Sequence, residues 1–131
     1  MNYICLGYLD VQTWEKKSPD EQNAMIDQCF AYDEVLRKNG HWVSGEGLQG
    51  ATTLSYQNGK VAVTDGPYAE TKELLGGLLI LEAKDLNHAI QLISNHPGIK
   101  MGRWEIRPAE DLKPMIEASE QRRTTAVPAE H

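Results

Sequence analysis

The sequence predicts an α+β domain in which an antiparallel sheet carries two helices on one face. Strand-like and helix-like apolar patterns follow one another in the order β, α, β-hairpin, β, α, β. The long βαβ series of a doubly wound parallel sheet does not occur. With 131 residues the chain holds one domain, long enough to bury roughly two-thirds of its unfolded surface.

Residues 2–9 are nearly all apolar (Tyr3, Ile4, Cys5, Leu6, Tyr8, Leu9), as a central strand requires. Ser18-Pro19-Asp20-Glu21 starts a helix. Ser18 caps, Pro19 sits where its missing N–H does no harm, and Glu21 completes a capping box. Met25, Ile26, Cys29, Phe30, Tyr32 and Leu36 form its apolar face, Arg37 and Lys38 suit its negative end, and Gly40 stops it. Residues 41–48 read as a strand broken by Gly45, Gly47 and Gly50. Residues 52–57 and 60–64 are joined by Asn58-Gly59, a strong hairpin signal. Asp65-Gly66-Pro67 then forces a loop. Residues 78–83 form a buried strand, Asp85 caps a helix running to His96, and Pro97-Gly98 ends it. Residues 103–107 (RWEIR) alternate as a last strand. The domain is expected over 1–112. Residues 113–131 are a C-terminal extension, and 117–131, with no apolar period, are expected to be a mobile tail.

Two helices cover only one face of such a sheet. The other face also carries apolar residues, so a second copy of the chain is the expected cover, giving a homodimer.

The net charge of −6 argues against a general nucleic-acid binder and against an anionic membrane surface as partner. The first residues lack the basic flank of a signal peptide, and no apolar run approaches the length of a spanning helix. A cytoplasmic location is the expectation, with Cys5 and Cys29 as small buried hydrophobes in a reducing compartment. The histidines at 41, 88, 96 and 131 lack metal-ligand spacing, so no metal is expected. Gly45-Glu46-Gly47-Leu48-Gln49-Gly50 has nucleotide-loop glycines but not the helix that must follow, and no cofactor is expected.

The segment after the hairpin is the most suggestive. Asp65 either holds the following backbone as an Asx-turn or serves as a base in a cleft. Tyr68 packs its ring in the core or orients a ligand with its hydroxyl. Glu70, Thr71 and Lys72 are solvated loop groups or a paired acceptor and cation. His41 and His96 can each act as a base only through proximity in the fold.

Thr64-Asp65-Gly66-Pro67-Tyr68-Ala69-Glu70-Thr71-Lys72-Glu73 with Leu75-Gly76-Gly77 resembles the signature of the DGPF-domain proteins of the YCII-related superfamily, with Tyr68 where Phe is usual. The opening strand, the Ser-Pro-x-Glu helix start, Glu46-Gly47-Leu48-Gln49 and Glu105-Ile106-Arg107-Pro108 fit as well, so the resemblance covers roughly residues 1–112. It implies a ferredoxin-like fold, a dimeric α+β barrel and, in some members, association with extracytoplasmic-function sigma factors. One branch of the superfamily includes a dehydrochlorinase acting on a chlorinated hydroxyquinol. That branch resembles small proteins whose acid–base pair is a His at the start of the first helix and an Asp before a Pro after the second. Here the first place reads Ser18-Pro19-Asp20-Glu21-Gln22 and the second is His96, so the pair is not reproduced at those positions.

The sequence thus points to a small-molecule enzyme or binder for a polar organic ligand. Its expected cleft is formed by the 65–72 loop with Asp65, Tyr68, Glu70 and Lys72, by Glu46, and by Tyr3 and Tyr8. The alternative is a noncatalytic module serving a sigma-factor system. A concave site would favour the first and an exposed apolar patch the second.

Overall fold

The computed structural model describes residues 1–67 and 73–125. Among the described residues, six strands and four helices run in the order β1 (Asn2–Asp10), α1 (Val11–Glu15), α2 (Pro19–Lys38), β2 (Trp42–Gly47), β3 (Thr52–Gln57), β4 (Lys60–Asp65), β5 (Glu73–Glu82), α3 (Leu86–Ser94), a 3-10 turn (Pro97–Lys100), β6 (Trp104–Pro108) and α4 (Lys113–Thr125). Four strands form an antiparallel sheet in the order β2-β5-β1-β6. With β5 inserted between β1 and β2, and α2 and α3 as the two crossovers, this is the ferredoxin-like arrangement.

Local chemistry sets the helix ends. At α2, the Glu21 N–H donates to Ser18 Oγ (3.2 Å) and the Ser18 N–H donates to Glu21 Oε1 (3.0 Å), so the capping box forms in full. At α3, the His88 N–H donates to Asp85 Oδ1 (2.8 Å). Among the described residues no helix is long and apolar enough to cross a membrane.

The buried cluster lies on one side of the sheet. Tyr3 and Cys5 of β1 and Leu79 and Leu81 of β5 meet Leu36 of α2 and Ala89 and Ile93 of α3. Tyr3, expected at the cleft, is part of this core. Strand alternation sends Ile4, Leu6, Leu78 and Ile80 to the opposite side, where each is half-buried and none joins the cluster.

β3 and β4 form a separate two-stranded sheet rather than extending the main one. Their turn has Asn58 and Gly59 at φ 52° and 78°, the positive values that a two-residue hairpin turn demands.

Two elements depart from expectation. α1 is an extra short helix capped by Asp10, whose side chain accepts from the Thr13 N–H. Lys113–Thr125 is helical where the tail was expected to begin. Lys, Glu, Gln, Arg and Ala favour helix without any apolar period, and a search for apolar period misses such a segment. No residue of α4 is buried. Deleting 117–131 should therefore change Tm by less than roughly 3 °C, as surface changes without lost packing usually do. A larger loss in a melting curve would mean that this segment docks on the body or on a partner.

Candidate functional site

A cleft of about 440 Å³ opens between α2 and the helix-side face of the sheet. Its floor is made by absent side chains. Gly7 of β1 is registered with Gly77 of β5 and Trp104 of β6, and Gly77 in turn with Gly47 of β2. One row across the sheet is thus three glycines and a tryptophan. The Trp104 indole lies so close over Gly7 that a Cβ there would meet the ring at 2.9 Å. A Cβ at Gly45 would likewise overlap the Trp42 indole. Gly45 does not break its strand, contrary to the expectation from sequence: β2 runs through it to Gly47. Gly7 and Gly45 let two indoles lie against the sheet. Met25, Ile26 and Phe30 of α2 and Trp14 supply further apolar lining.

One polar pair sits in this apolar surround. Asp33 of α2 is 8% exposed and His96, just after α3, is 5% exposed. Both line the cleft. His96 Nδ1 accepts the Gly98 N–H (2.9 Å), so it carries no proton. The ring proton is therefore on Nε2 and is donated to Asp33 Oδ1 at 3.0 Å. The tautomer follows from backbone geometry, because His96 caps the 3-10 turn with the same atom. Edge contacts with Tyr32 (centroids 5.3 Å) and tilted packing on Trp104 (5.2 Å) hold the ring in place.

The Asp33 charge reaches its neighbours. Burial raises the Cys29 thiol pKa, and the Asp33 carboxylate raises it further. The Tyr32 phenol is raised by the same two causes in the same order, and its hydroxyl donates to the Leu92 carbonyl (2.5 Å). Neither group is a ready nucleophile or acid. Arg37, one turn beyond Asp33, lies over the Trp42 ring at 4.2 Å from its centroid. Among the described residues no group of three or more His, Cys, Asp or Glu is arranged to hold a metal.

The residues expected from sequence are distributed as follows. Tyr8 lines the cleft and hydrogen-bonds the Glu105 carboxylate, which that bond and the stronger one from Arg107 hold below its usual range. Glu46 lies at the cleft's edge and is exposed. Asp65 ends β4 opposite Thr52, is exposed, and is not among the cleft residues. The turn after it is tied down by the Gly66 N–H to Ala51 O (2.9 Å) and by Thr53 Oγ1 to Gly66 O (2.7 Å). Tyr68, Glu70 and Lys72 lie outside the described residues.

Asp33 was missed. It had a signal: a carboxylate three or four residues from Cys29, Phe30 and Leu36 lies on the apolar stripe of its helix, where an ionisable group needs a partner.

The YCII-related domain model matches residues 1–113. An uncharacterised protein of Rhizobium meliloti (strain 1021) is 35% identical over 66 residues, 49% of this chain and 53% of that protein. The match therefore spans about half the length of that relative. Among solved structures, 5-chloro-2-hydroxyhydroquinone dehydrochlorinase from Burkholderia phenoliruptrix, in complex with 2,5-dihydroxybenzoquinone, is 18% identical. It matches over 84% of this chain and 94% of its own, with a TM-score of 0.48.

Proposed function

The chain belongs to the YCII-related family, and from that premise we propose that its helix-side cleft binds a small flat organic molecule and moves a proton at Asp33. One observation carries this reading: a carboxylate and a fixed imidazole, 3.0 Å apart and both buried, form a polar pair among the aromatic and aliphatic residues that line the cleft. His96 Nε2–H holds Oδ1, and Oδ2 is the atom that takes the ligand's proton. His96 is a positioning residue, since its other nitrogen is occupied by the Gly98 N–H. The indoles of Trp42 and Trp104 and the ring of Phe30 suit a planar apolar body. Asp33 suits a hydroxyl or acidic C–H presented at one edge of it. Apolar walls make the charge of Asp33 act more strongly on such a proton than it would in water.

The test begins with a thermal-shift screen of simple phenols, carboxylates and hydroxyquinols. A ligand at a hundred times its Kd should stabilise the fold by about 2.7 kcal/mol. For each hit, proton transfer is read by NMR as exchange of ring C–H for deuterium. Asp33→Asn should slow that exchange by about 10²–10⁴-fold while binding persists. Exchange at the wild-type rate in Asp33→Asn would remove Asp33 from the chemistry.

The rival reading, a module serving a regulatory partner such as a sigma factor, draws on one observation: the β3–β4 hairpin exposes an apolar face.

A further inference from the structure

The helix-side cleft contains a cation that the proton chemistry does not use. Arg37 is the one lysine or arginine among the described residues that line it. His96 adds no charge, because its Nδ1 accepts the Gly98 N–H. Arg37 is exposed, and its guanidinium lies over the half-buried Trp42 ring, 4.2 Å from the centroid. Among the described residues no carboxylate pairs with it and no acceptor takes its hydrogen bonds.

This placement is built. Gly45 lacks the Cβ that would overlap the Trp42 indole, so the indole can lie against its own strand. The indole then offers the guanidinium a flat electron-rich face. A guanidinium held by its face keeps its N–H groups, which lie in its own plane, free to donate. A fork of unused donors is therefore presented at the open side of an apolar cleft. The dipole at the end of α2 does not account for Arg37. Lys38 is in the same last turn, is not among the cleft residues, and already offsets that dipole.

We propose that Arg37 reads the charge of the ligand, and that the ligand is an aromatic monocarboxylate with its carboxylate on Arg37 and its hydroxyl on Asp33. The proposal rests on the reading of this cleft as a ligand site and names the class of molecule it takes. A carboxylate matches the planar guanidinium with two parallel hydrogen bonds. Arg37 follows Asp33 by four residues, so both lie on one side of α2, about 6 Å apart along its axis. A single aromatic ring with polar groups at opposite ends spans such a distance. The wall between them is apolar, with the indoles and Phe30 to take the ring. One charge is favoured over two, because Asp33 inside the cleft and Glu46 at its edge both repel a second.

The test is calorimetric binding of two probes of one shape, 4-hydroxybenzoate and 4-hydroxybenzamide, to the full chain at neutral pH. Wild type should bind the carboxylate about 10–100-fold more tightly than the amide, as hydrogen bonds to a charged group require. Arg37→Met keeps an apolar stem over Trp42 and should bind the two alike. Arg37→Lys should recover part of the preference, since it restores the charge but not the fork. Both substitutions are at an exposed position, so the variants should fold. A preference for the carboxylate that survives in Arg37→Met would overturn the inference. Equal binding of both probes to wild type would overturn it too, and in either case the cleft would still be a ligand site. Binding of neither probe would overturn it as well. Asp33→Asn that keeps the preference while its proton exchange runs at the wild-type rate would uphold the role of Arg37 and remove only the proton transfer at Asp33.

Discussion

Gly102→Ala should leave little folded protein. A Cβ at this position would run into the backbone carbonyl of Tyr8, with its carbon at 2.7 Å and the Asp10 nitrogen at 3.2 Å. None of these atoms belongs to a side chain that can swing away. The two strands are also pinned on either side of the contact: Tyr8 N–H donates to Arg103 O and Asp10 N–H to Met101 O, both at 2.8 Å. Room for one methyl group therefore requires the end of β1 to part from the segment entering β6, with loss of both bonds. The expected loss is about 3 kcal/mol or more, a large share of the roughly 5–15 kcal/mol that holds a domain together. Far-ultraviolet circular dichroism and a urea midpoint decide it. A midpoint unchanged from wild type would mean that the two segments have slack the geometry does not show.

His96→Ala comes next in expected effect. The substitution removes the acceptor for Gly98 N–H, the ring packed between Tyr32 and Trp104, and the donor to Asp33. Asp33 is left buried without its hydrogen-bond donor. Leaving a buried charged acceptor unsatisfied, on top of the lost ring packing, costs about 3 kcal/mol or more, which at this chain length lowers Tm by roughly 10 °C or more. Two further variants separate the contributions. His96→Asn keeps an oxygen able to take the Gly98 N–H but cannot reach Asp33, so it should fall between wild type and His96→Ala. Adding Asp33→Asn to His96→Ala should recover stability, because a buried carboxylate without a donor is replaced by a neutral amide. If the double variant is less stable than His96→Ala, the burial of a carboxylate without a donor is not the main penalty.

Much of the fold could be read from local chemistry. Ser18 and Glu21, Asp85, and Asn58-Gly59 each do in the structure what their residue types do anywhere, because caps and tight turns are settled within a few residues. The crossover order needed only the sequence of elements. The cleft was harder. Asp33 and His96 are 63 residues apart and meet only because α2 and the end of α3 pack on one face of the sheet. No local pattern encodes that meeting. Gly7 was passed over and Gly45 looked like a strand breaker, since a sequence does not show that an indole lies over each glycine. α4 failed for the opposite reason: its helix rests on backbone propensity with none of its residues buried, and the search was for packing.

The place of β1 in the sheet has a kinetic consequence. The first strand of the chain lies between β5 and β6, pairing Cys5 with Leu79 on one side and with Ile106 on the other. Nascent chain leaving the ribosome can wind α2 and close the β3–β4 hairpin early, from contacts within a few residues. β1 gains its first neighbour only when β5 has emerged and its second only when β6 has. Sheet formation therefore waits for β5 and β6, and until they emerge residues 3–6 (YICL) are an unpaired apolar strand. Formation of the sheet is therefore limited by loop closure over roughly 70 to 100 residues rather than by its fast helices.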